Sequence, residues 1–213
     1  MITEHTKPLS FELALNALKN EDIFVYPTDT IYGFGGNAHS EKVINRLFDI
    51  KERPENMPVS MIVRDLDMLT RYAYVSEKTN RLIEAFLPGA LTLVLPAKHI
   101  SMPDKLFSMQ GFLGFRIPDH DFCKALSKSF DGPIITTSVN ISGKPVLTRI
   151  QDIEKQFSKE IDLMISDPDL EKKTVPKSST VIMISKDDEI KILREGAIPK
   201  KDIFQSQGDD EKY

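Results

Sequence analysis

The segment YPTDTIYGFGGNA, from Tyr26 to Ala38, decides which fold and function this sequence can be assigned. It follows the short apolar run Ile23–Tyr26, which is typical of a buried strand. Three glycines, at positions 33, 35 and 36, indicate a backbone that approaches another group closely or turns with positive φ. A tight connection from strand to helix would explain these glycines. It would not explain PTDT, where hydroxyl groups and a carboxylate cluster beside them.

The glycine segment, beginning at Gly33, formally matches the G-x-G-x-x-[GA] pattern of dinucleotide-binding domains. In that pattern the strand runs almost directly into the first glycine, and the helix begins at the second. Here PTDTIY intervenes, and the next helix is predicted to begin only after Ser40. The interpretation of the protein as a nicotinamide-dependent oxidoreductase therefore depends on this imperfect match alone. A P-loop is excluded, because Ser138 stands where the motif needs its first glycine and Pro145 replaces its Ser or Thr.

Strands and helices alternate early in the chain, and strands dominate later. Helices are predicted at 10–20 (Ser10 as N-cap), 40–50 (Ser40 as N-cap), 76–87 (Ser76 as N-cap), 121–130 and 150–157. Strands are predicted at 23–26, 59–63, 91–95, 112–117, 133–139, 179–185 and 189–193, the last two as a hairpin. This order favours a single α/β domain, residues 1–205, on a twisted mixed sheet, largely parallel plus antiparallel. The polar tail, 206–213, is expected to be disordered. The charged stretch Asp167–Ser178 is predicted to be a mobile loop or lid, or an ordinary solvated connection.

Composition excludes several classes of protein. The formal net charge of -4 does not indicate a basic surface for nucleic acid over the whole molecule, although it leaves room for a local basic cleft. No apolar run approaches the roughly 20 residues of a membrane span. The lone cysteine, Cys123, rules out an internal disulfide framework and is expected to be a small buried hydrophobe. We therefore expect a cytoplasmic protein that binds no membrane.

Several polar residues allow both a structural and a functional interpretation. Lys51 and Arg53 stand at a helix end, where cations are favoured, but such a pair also suits phosphate oxygens. Arg116 interrupts an apolar strand, either as an edge-strand arginine or as the anchor of a substrate carboxylate. The polar cluster 136–142 suits a ligand at a strand's carboxyl end or ordinary turn chemistry. The four histidines show no metal-ligand spacing, so no metal site is predicted.

These residues belong to motifs that follow one another in a recognisable order. The motifs are PTDTIYGFGGNA (27–38), KERP (51–54) with PVS (58–60), LPGALTLVL (87–95), GFRIPDH (114–120), TSVNISGKP (137–145), SST (178–180) and LREG (193–196). With them, over nearly its whole length, the sequence resembles the YrdC-like, or TsaC-type, threonylcarbamoyl-AMP synthases. The hallmark of that family is Lys-x-Arg with a later Ser-x-Asn, here Lys51, Arg53, Ser138 and Asn140.

The resemblance implies an enzyme, a nucleotidyltransferase, that condenses L-threonine, bicarbonate or CO2, and ATP into threonylcarbamoyl-AMP and pyrophosphate. It implies Mg2+ brought with ATP and held by no side chain. A threonylcarbamoyl-transferase complex would then place the threonylcarbamoyl group on adenosine in tRNA, and the resemblance leaves room for weak tRNA or RNA binding. The implied fold is the YrdC/RibB-like α/β sheet with a concave basic face.

The resemblance also assigns roles to residues. Thr30, Arg116, Thr136 and Ser179 would bind L-threonine, with Arg116 on its carboxylate. Lys51 and Arg53 would be catalytic and, with Ser138, Asn140 and Arg194, would bind ATP. The chain departs from the pattern at Met57 and Ile62, where longer members often carry asparagine and histidine. It is also expected to lack the C-terminal domain of those members. The alternative to the synthase is a non-catalytic RNA-binding module, such as a tRNA-binding or ribosome-assembly protein.

Overall fold

The computed structural model describes residues 1–55, 57, 59–108, 110–161, 163–172 and 177–208. Ten strands and eight α-helices lie within these residues. Residues 209–213 of the predicted tail lie outside the described part, as do 173–176 of the predicted loop or lid. None of the described helices is both long and apolar enough to cross a bilayer.

The strands join into a mixed sheet of ten strands. Their bounds are β1 Ile2–Glu4, β2 Phe24–Tyr26, β3 Gly33–Gly35, β4 Ser60–Ile62, β5 Leu91–Pro96, β6 Phe112–Arg116, β7 Ile134–Ser138, β8 Leu163–Ser166, β9 Thr180–Ile184 and β10 Ile190–Arg194. In space they lie in the order β1-β8-β2-β3-β7-β4-β6-β5-β9-β10. Of the nine neighbouring pairs among these described strands, β1–β8, β2–β8, β4–β6 and β5–β9 are parallel, and the other five are antiparallel. The predicted mixed sheet is confirmed, with parallel and antiparallel pairs nearly balanced.

The helices begin where the sequence offers capping groups. Their bounds are α1 Pro8–Lys19, α2 Glu41–Ile50, α3 Leu66–Tyr72, α4 Glu77–Phe86, α5 Asp121–Ser129, α6 Ile150–Phe157, α7 Pro168–Glu171 and α8 Lys200–Gln205. Ser40 and Ser76 are confirmed as N-caps of α2 and α4, because their side chains accept hydrogen bonds from backbone amides three residues later. Ser10 was predicted wrongly. It lies inside α1, which starts at Pro8, and its hydroxyl donates to the Glu4 carbonyl.

The sheet is packed on both faces. A large core lies on one face, where the side chains of α2, α3, α4 and α6 meet alternate residues of the strands, among them Phe115 and Ile135. A smaller core lies on the other face, where α1 and α5 pack on the part of the sheet that includes Phe24, Ile62 and Ile134. The buried thiol of Cys123 belongs to this smaller core, as predicted from composition.

The glycines of the opening segment serve a purpose that the sequence did not reveal. Gly33–Gly35 is not a turn but strand β3, antiparallel to β2, and none of its glycines has positive φ. A Cβ at Gly35 would lie 2.8 Å from atoms of the Phe24 and Tyr26 rings, and one at Gly36 would lie 2.5 Å from Val43 of α2. These two glycines therefore let the backbone approach the protein's own core. Only Gly33 faces the cavity described below.

Candidate active site

A cavity of about 600 Å³ lies over the middle strands of the sheet. Its floor is one cross-strand row: Thr136 of β7 lies opposite Ser60 of β4, Ser60 opposite Gly114 of β6, Gly114 opposite Val94 of β5, and Val94 opposite Met183 of β9. Because side chains alternate along a strand, the neighbouring rows point into the large core on the opposite face. The ligand-sized space therefore lies over a face of the sheet. Of the polar cluster 136–142, Thr136, Thr137 and Ser138 at the carboxyl end of β7 line it.

Arg116 is the most buried cation in the lining, with 5% of its surface exposed. It is not an edge-strand residue, because β6 lies between β4 and β5. Its Nη2 donates to Asp29 Oδ1 at 2.7 Å, and its Nη1 donates to Thr30 Oγ1 at 3.2 Å. Its buried Nε has no hydrogen-bond partner among the described residues. A buried donor without a partner at a cavity wall suits a ligand that brings an acceptor.

Hydroxyl groups surround this guanidinium on two sides of the cavity. Thr28 and Thr30, from the β2–β3 connection, share a hydrogen bond of 3.0 Å between their Oγ1 atoms. Thr92 of β5 and Ser179, just before β9, share one of 2.8 Å. All four side chains are buried and line the cavity. Because each hydroxyl can donate and accept, such pairs can turn toward an amino or hydroxyl group of a bound molecule.

Two further arginines line the cavity away from its floor. Arg53 follows the end of α2, and its Nε donates to the Met57 carbonyl at 2.5 Å. Arg194, at the end of β10, folds back so that its Nη2 donates to the Ser179 carbonyl at 2.9 Å. Burial lowers the pKa of both guanidinium groups, and the charge of Arg116 lowers that of Arg194 further. The described lining contains Arg53, Arg116 and Arg194 but no aspartate or glutamate, so this cavity favours anions.

Lys51 lies behind the cavity and not in its described lining. It is completely buried, and its Nζ donates to the Ser138 carbonyl at 2.5 Å, the Asn140 carbonyl at 2.9 Å and Asn140 Oδ1 at 3.2 Å. Burial, and then the charge of Arg53, lowers the pKa of Lys51 to about 7. The Asn140 side chain also accepts from Ser138 Oγ at 2.6 Å. Lys51 and Asn140 therefore hold the end of β7, and Ser138 is the member of this group that lines the cavity.

Comparison with known proteins places the chain in a family. Residues 16–196 match the model of the Sua5/YciO/YrdC family, which carries the description telomere recombination. The chain belongs to the Sua5/YciO/YrdC family. The resemblance stated from the motifs is thus confirmed, and so is the YrdC-like α/β fold that it implied.

Relatives within the Sua5/YciO/YrdC family differ in length. A Methanocaldococcus jannaschii protein named putative threonylcarbamoyl-AMP synthase is 37% identical over 198 residues, which are 93% of this chain and 91% of that protein. The threonylcarbamoyl-AMP synthase of Bacillus subtilis is 29% identical over 87% of this chain, which spans only 53% of that protein's length. The structure of Pyrococcus abyssi Sua5 complexed with L-threonine superposes with a TM-score of 0.88 at 28% identity, over 98% of this chain and 61% of that one.

The structure gathers most of the residues that the sequence singled out. Those lining the cavity are Thr30, Arg53, Arg116, Thr136, Ser138, Ser179 and Arg194, whereas Lys51 and Asn140 support it from behind. Their assigned ligands remain predictions. Met57 lines the cavity and is 48% exposed, whereas Ile62 is buried in the smaller core.

Sequence reasoning missed three residues of this site. Asp29 and Thr28 belong to the motif PTDT, but nothing in this motif indicates that the Asp29 carboxylate pairs with Arg116. Thr92 is the lone polar residue of the apolar strand LTLVL, and that break in the pattern was an available signal. The first residues of the stretch Asp167–Ser178 do not form the predicted loop, because Asp167 is buried, caps α7 and donates its backbone N–H to Tyr32 Oη at 2.8 Å.

Proposed function

We propose that this protein is an L-threonylcarbamoyladenylate synthase, which condenses L-threonine, bicarbonate or CO2, and ATP into threonylcarbamoyl-AMP and pyrophosphate. The observation that carries the proposal is the buried Arg116 in a cavity lined by hydroxyl groups and two more arginines, without a carboxylate in the described lining. The names of the relatives from Methanocaldococcus jannaschii, Bacillus subtilis and Pyrococcus abyssi support it. The proposed reaction is a nucleotidyl transfer.

L-Threonine is proposed to bind at the floor of the cavity. Its carboxylate would accept from Arg116, whose Nε is unpartnered among the described residues. Thr30, Thr136 and Ser179 lie along the same walls and would contact the amino and hydroxyl groups. The Pyrococcus abyssi relative, whose fold is nearly the same, has been solved with L-threonine bound.

ATP is proposed to bind on the side of Arg53 and Arg194. Both guanidinium groups would face phosphate oxygens, for which their planar forks are suited. Ser138 Oγ would donate to ATP by turning away from Asn140 Oδ1. Lys51 and Asn140 would act on ATP through the end of β7, because their polar atoms are already engaged with each other and with Ser138. Their proposed contribution is therefore to position this wall of the site.

The chemistry needs little from a general base. The neutral amine of threonine attacks CO2, one N–C bond forms, and the amine passes a proton to solvent water to give a carbamate. A carbamate oxygen then attacks the α-phosphorus of ATP, an O–P bond forms, and the bond to pyrophosphate breaks. No carboxylate lines the described cavity to take up the proton directly. Arg53 and Arg194 would offset the negative charge of the departing pyrophosphate.

Mg2+ is proposed to arrive with ATP. Mg2+ prefers carboxylate and other oxygen ligands, and the described lining offers hydroxyl groups and cations but no carboxylate. These residues do not form a magnesium site of their own, so the ion would be held by the phosphates. No step above depends on it.

The product would be used in a cytoplasmic pathway. A mixed anhydride of a carbamate and a phosphate is reactive, so a threonylcarbamoyl-transferase complex that acts on tRNA adenosine is the proposed consumer. The alternative of a non-catalytic RNA-binding module predicts RNA affinity with steep salt dependence and no ATP binding. Weak tRNA binding beside catalysis would instead leave ATP binding intact.

Pyrophosphate release tests the proposed function most directly. The assay contains ATP, bicarbonate and the protein, with L-threonine, with L-serine, or with neither. Release that requires L-threonine and falls when bicarbonate is removed is the expected result. Release independent of the amino acid would contradict the proposed substrate, and absence of ATP binding in a separate titration would overturn the synthase altogether.

A further inference from the structure

A second cavity, of about 430 Å³, lies beside the first, and Thr28 lines both. The charge of its lining is opposite to that of the first cavity. The described lining includes Asp29, Asp119, Asp167 and Asp169, together with one histidine, and contains no lysine or arginine. Such a cavity attracts cations, and none of the chemistry proposed above uses it.

His120 and Asp167 line this second cavity, and His5 lies next to both of them. His5 follows β1, His120 precedes α5 and Asp167 caps α7, so the cluster joins three parts of the chain that are far apart in sequence. One potential ligand atom from each residue lies within 4.8 Å of the other two. His120 Nε2 lies 3.2 Å from Asp167 Oδ2, and His5 Nδ1 lies 3.8 Å from Asp167 Oδ1.

These distances fit a metal ion. Bonds of about 2.1 Å to nitrogen and oxygen in tetrahedral geometry place neighbouring ligand atoms about 3.4 Å apart. The observed separations of 3.2 and 3.8 Å lie near that value, but they join the two imidazoles to different oxygens of Asp167, so the carboxylate would bind through both oxygens or turn to present one. His5 Nδ1 also lies 3.3 Å from the Ser166 carbonyl oxygen, a contact that binding of the ion would replace. Backbone hydrogen bonds hold two of the ligands in place. The His5 amide donates to the Ser166 carbonyl at 2.9 Å, and Asp167 Oδ1 accepts from the Asp169 amide at 2.8 Å.

The charge of this cluster also favours a bound cation. Asp167 is 5% exposed, and within the described residues its ion-pair contacts are the two imidazoles, with no lysine or arginine among them. The Asp169 amide donates to Asp167 Oδ1, and a cation between the imidazoles would neutralise the charge that this hydrogen bond leaves on the buried carboxylate. Two imidazoles and one carboxylate form a donor set that suits zinc and other late divalent transition metals, whereas Mg2+ prefers oxygen ligands alone.

We propose that His5, His120 and Asp167 bind one Zn2+ or similar divalent transition metal, with the remaining coordination position open to the second cavity for a water molecule. The sequence offered no sign of this site, because its two histidines are 115 positions apart, as their numbers show. The bound ion ties the segment after β1 to α5 and α7. This inference does not depend on the proposed synthase activity.

Metal titration of the full chain, prepared without a polyhistidine tag, tests the site. Zn2+ is titrated against a chromophoric chelator, and Co2+ serves as a spectroscopic probe because tetrahedral Co2+ absorbs strongly in the visible range. One equivalent of Zn2+ should bind, Co2+ should give the tetrahedral spectrum, and Zn2+ should raise the unfolding temperature. His5→Gln and Asp167→Asn, which keeps the capping oxygen, should each weaken Zn2+ binding by about 100-fold or more, since outer-shell changes alone cost 10–100-fold.

The matched control is His99→Gln, which removes an exposed histidine outside the cluster. It should bind Zn2+ as the unaltered protein does. If Asp167→Asn fails to fold, His5→Gln decides, because His5 lies near the surface of the cluster with 20% of its side chain exposed. The proposal is overturned if no equivalent of Zn2+ binds, if His5→Gln binds as tightly as His99→Gln, or if Mg2+ competes with Zn2+ at similar concentration.

Discussion

The guanidinium of Arg116 forms an ion pair with Asp29 at 2.7 Å, and only 7% and 10% of their side-chain surfaces are exposed. Asp29 holds one edge of the fork while the Nε atom remains without a partner among the described residues. The pair fixes Arg116 at the cavity floor and neutralises it in part. Both consequences can be measured.

Replacing Arg116 should affect threonine more than ATP. Arg116→Ala removes the proposed carboxylate partner, and loss of one member of a buried charged pair costs about 2–5 kcal/mol. We expect KM for L-threonine in the pyrophosphate-release assay to rise about 30-fold or more, with a much smaller rise in KM for ATP. Arg116→Lys keeps the charge but not the forked guanidinium, so its KM for L-threonine should lie between those of the unaltered protein and Arg116→Ala. Equal increases for both substrates would show that Arg116 does not bind threonine.

The Asp29–Arg116 pair should also appear in stability. Removing one partner leaves a buried charge uncompensated, so Asp29→Ala should lower the free energy of unfolding by about 3–5 kcal/mol. Asp29→Ala combined with Arg116→Met should cost less than the sum of the two single changes, because no unpaired charge remains. Urea denaturation at pH 7 of the four proteins gives this comparison. Additive losses would mean that the two residues are not coupled.

Lys51 should influence ATP rather than threonine. Its Nζ contacts Ser138 and Asn140, which hold the wall proposed for the nucleotide. Lys51→Met keeps much of the length but removes all three hydrogen bonds, so KM for ATP should rise at least about tenfold while KM for threonine changes less. Ser138→Ala, which leaves the Lys51 contact to the backbone carbonyl, is the milder control. A selective rise in KM for threonine would contradict the assignment.

Lys51 should also make stability depend on pH. Its folded-state pKa is lowered from 10.5 to about 7, so between these values the unfolded chain binds more protons at this residue than the folded protein does. The free energy of unfolding should therefore rise with pH across that window, by up to about 1.4 kcal/mol per pH unit, and this contribution should be flat below pH 7. Denaturation of the unaltered protein and Lys51→Met at several pH values isolates the effect. A constant difference between them would mean that the three oxygens keep Lys51 charged.

Glycines 35 and 33 should respond differently to alanine. At Gly35 a Cβ would lie 2.8 Å from aromatic atoms of the core, so Gly35→Ala should destabilise the protein by about 1–3 kcal/mol. At Gly33 the nearest atom would be 3.4 Å away, so Gly33→Ala should leave stability nearly unchanged. If a substrate lies against β3, Gly33→Ala should nevertheless raise the KM for that substrate. Thermal unfolding and the pyrophosphate assay together distinguish the two glycines, and a stable Gly35→Ala variant would refute the packing explanation.

Local patterns were sufficient for the longer elements. The helices capped by Ser40 and Ser76, the β9–β10 hairpin and the apolar strand of Arg116 were all predicted, because each has a period and a boundary within a few neighbouring residues. Strands β1, β3 and β8 were not predicted. They have three or four residues, too few to show a period, and β3 consists largely of glycine.

The sequence by itself determined the family, the α/β class and the set of polar residues that converge on the first cavity. Motifs and their order can be read from the chain without knowing which residues are in contact. Only the tertiary structure decided which of these polar residues face the cavity. It placed Lys51 behind the wall, paired Arg116 with Asp29 and brought His5 to His120 and Asp167. Each of these depends on strand register and on packing between distant segments, and spacing along a chain does not encode the distance between residues that the fold brings together.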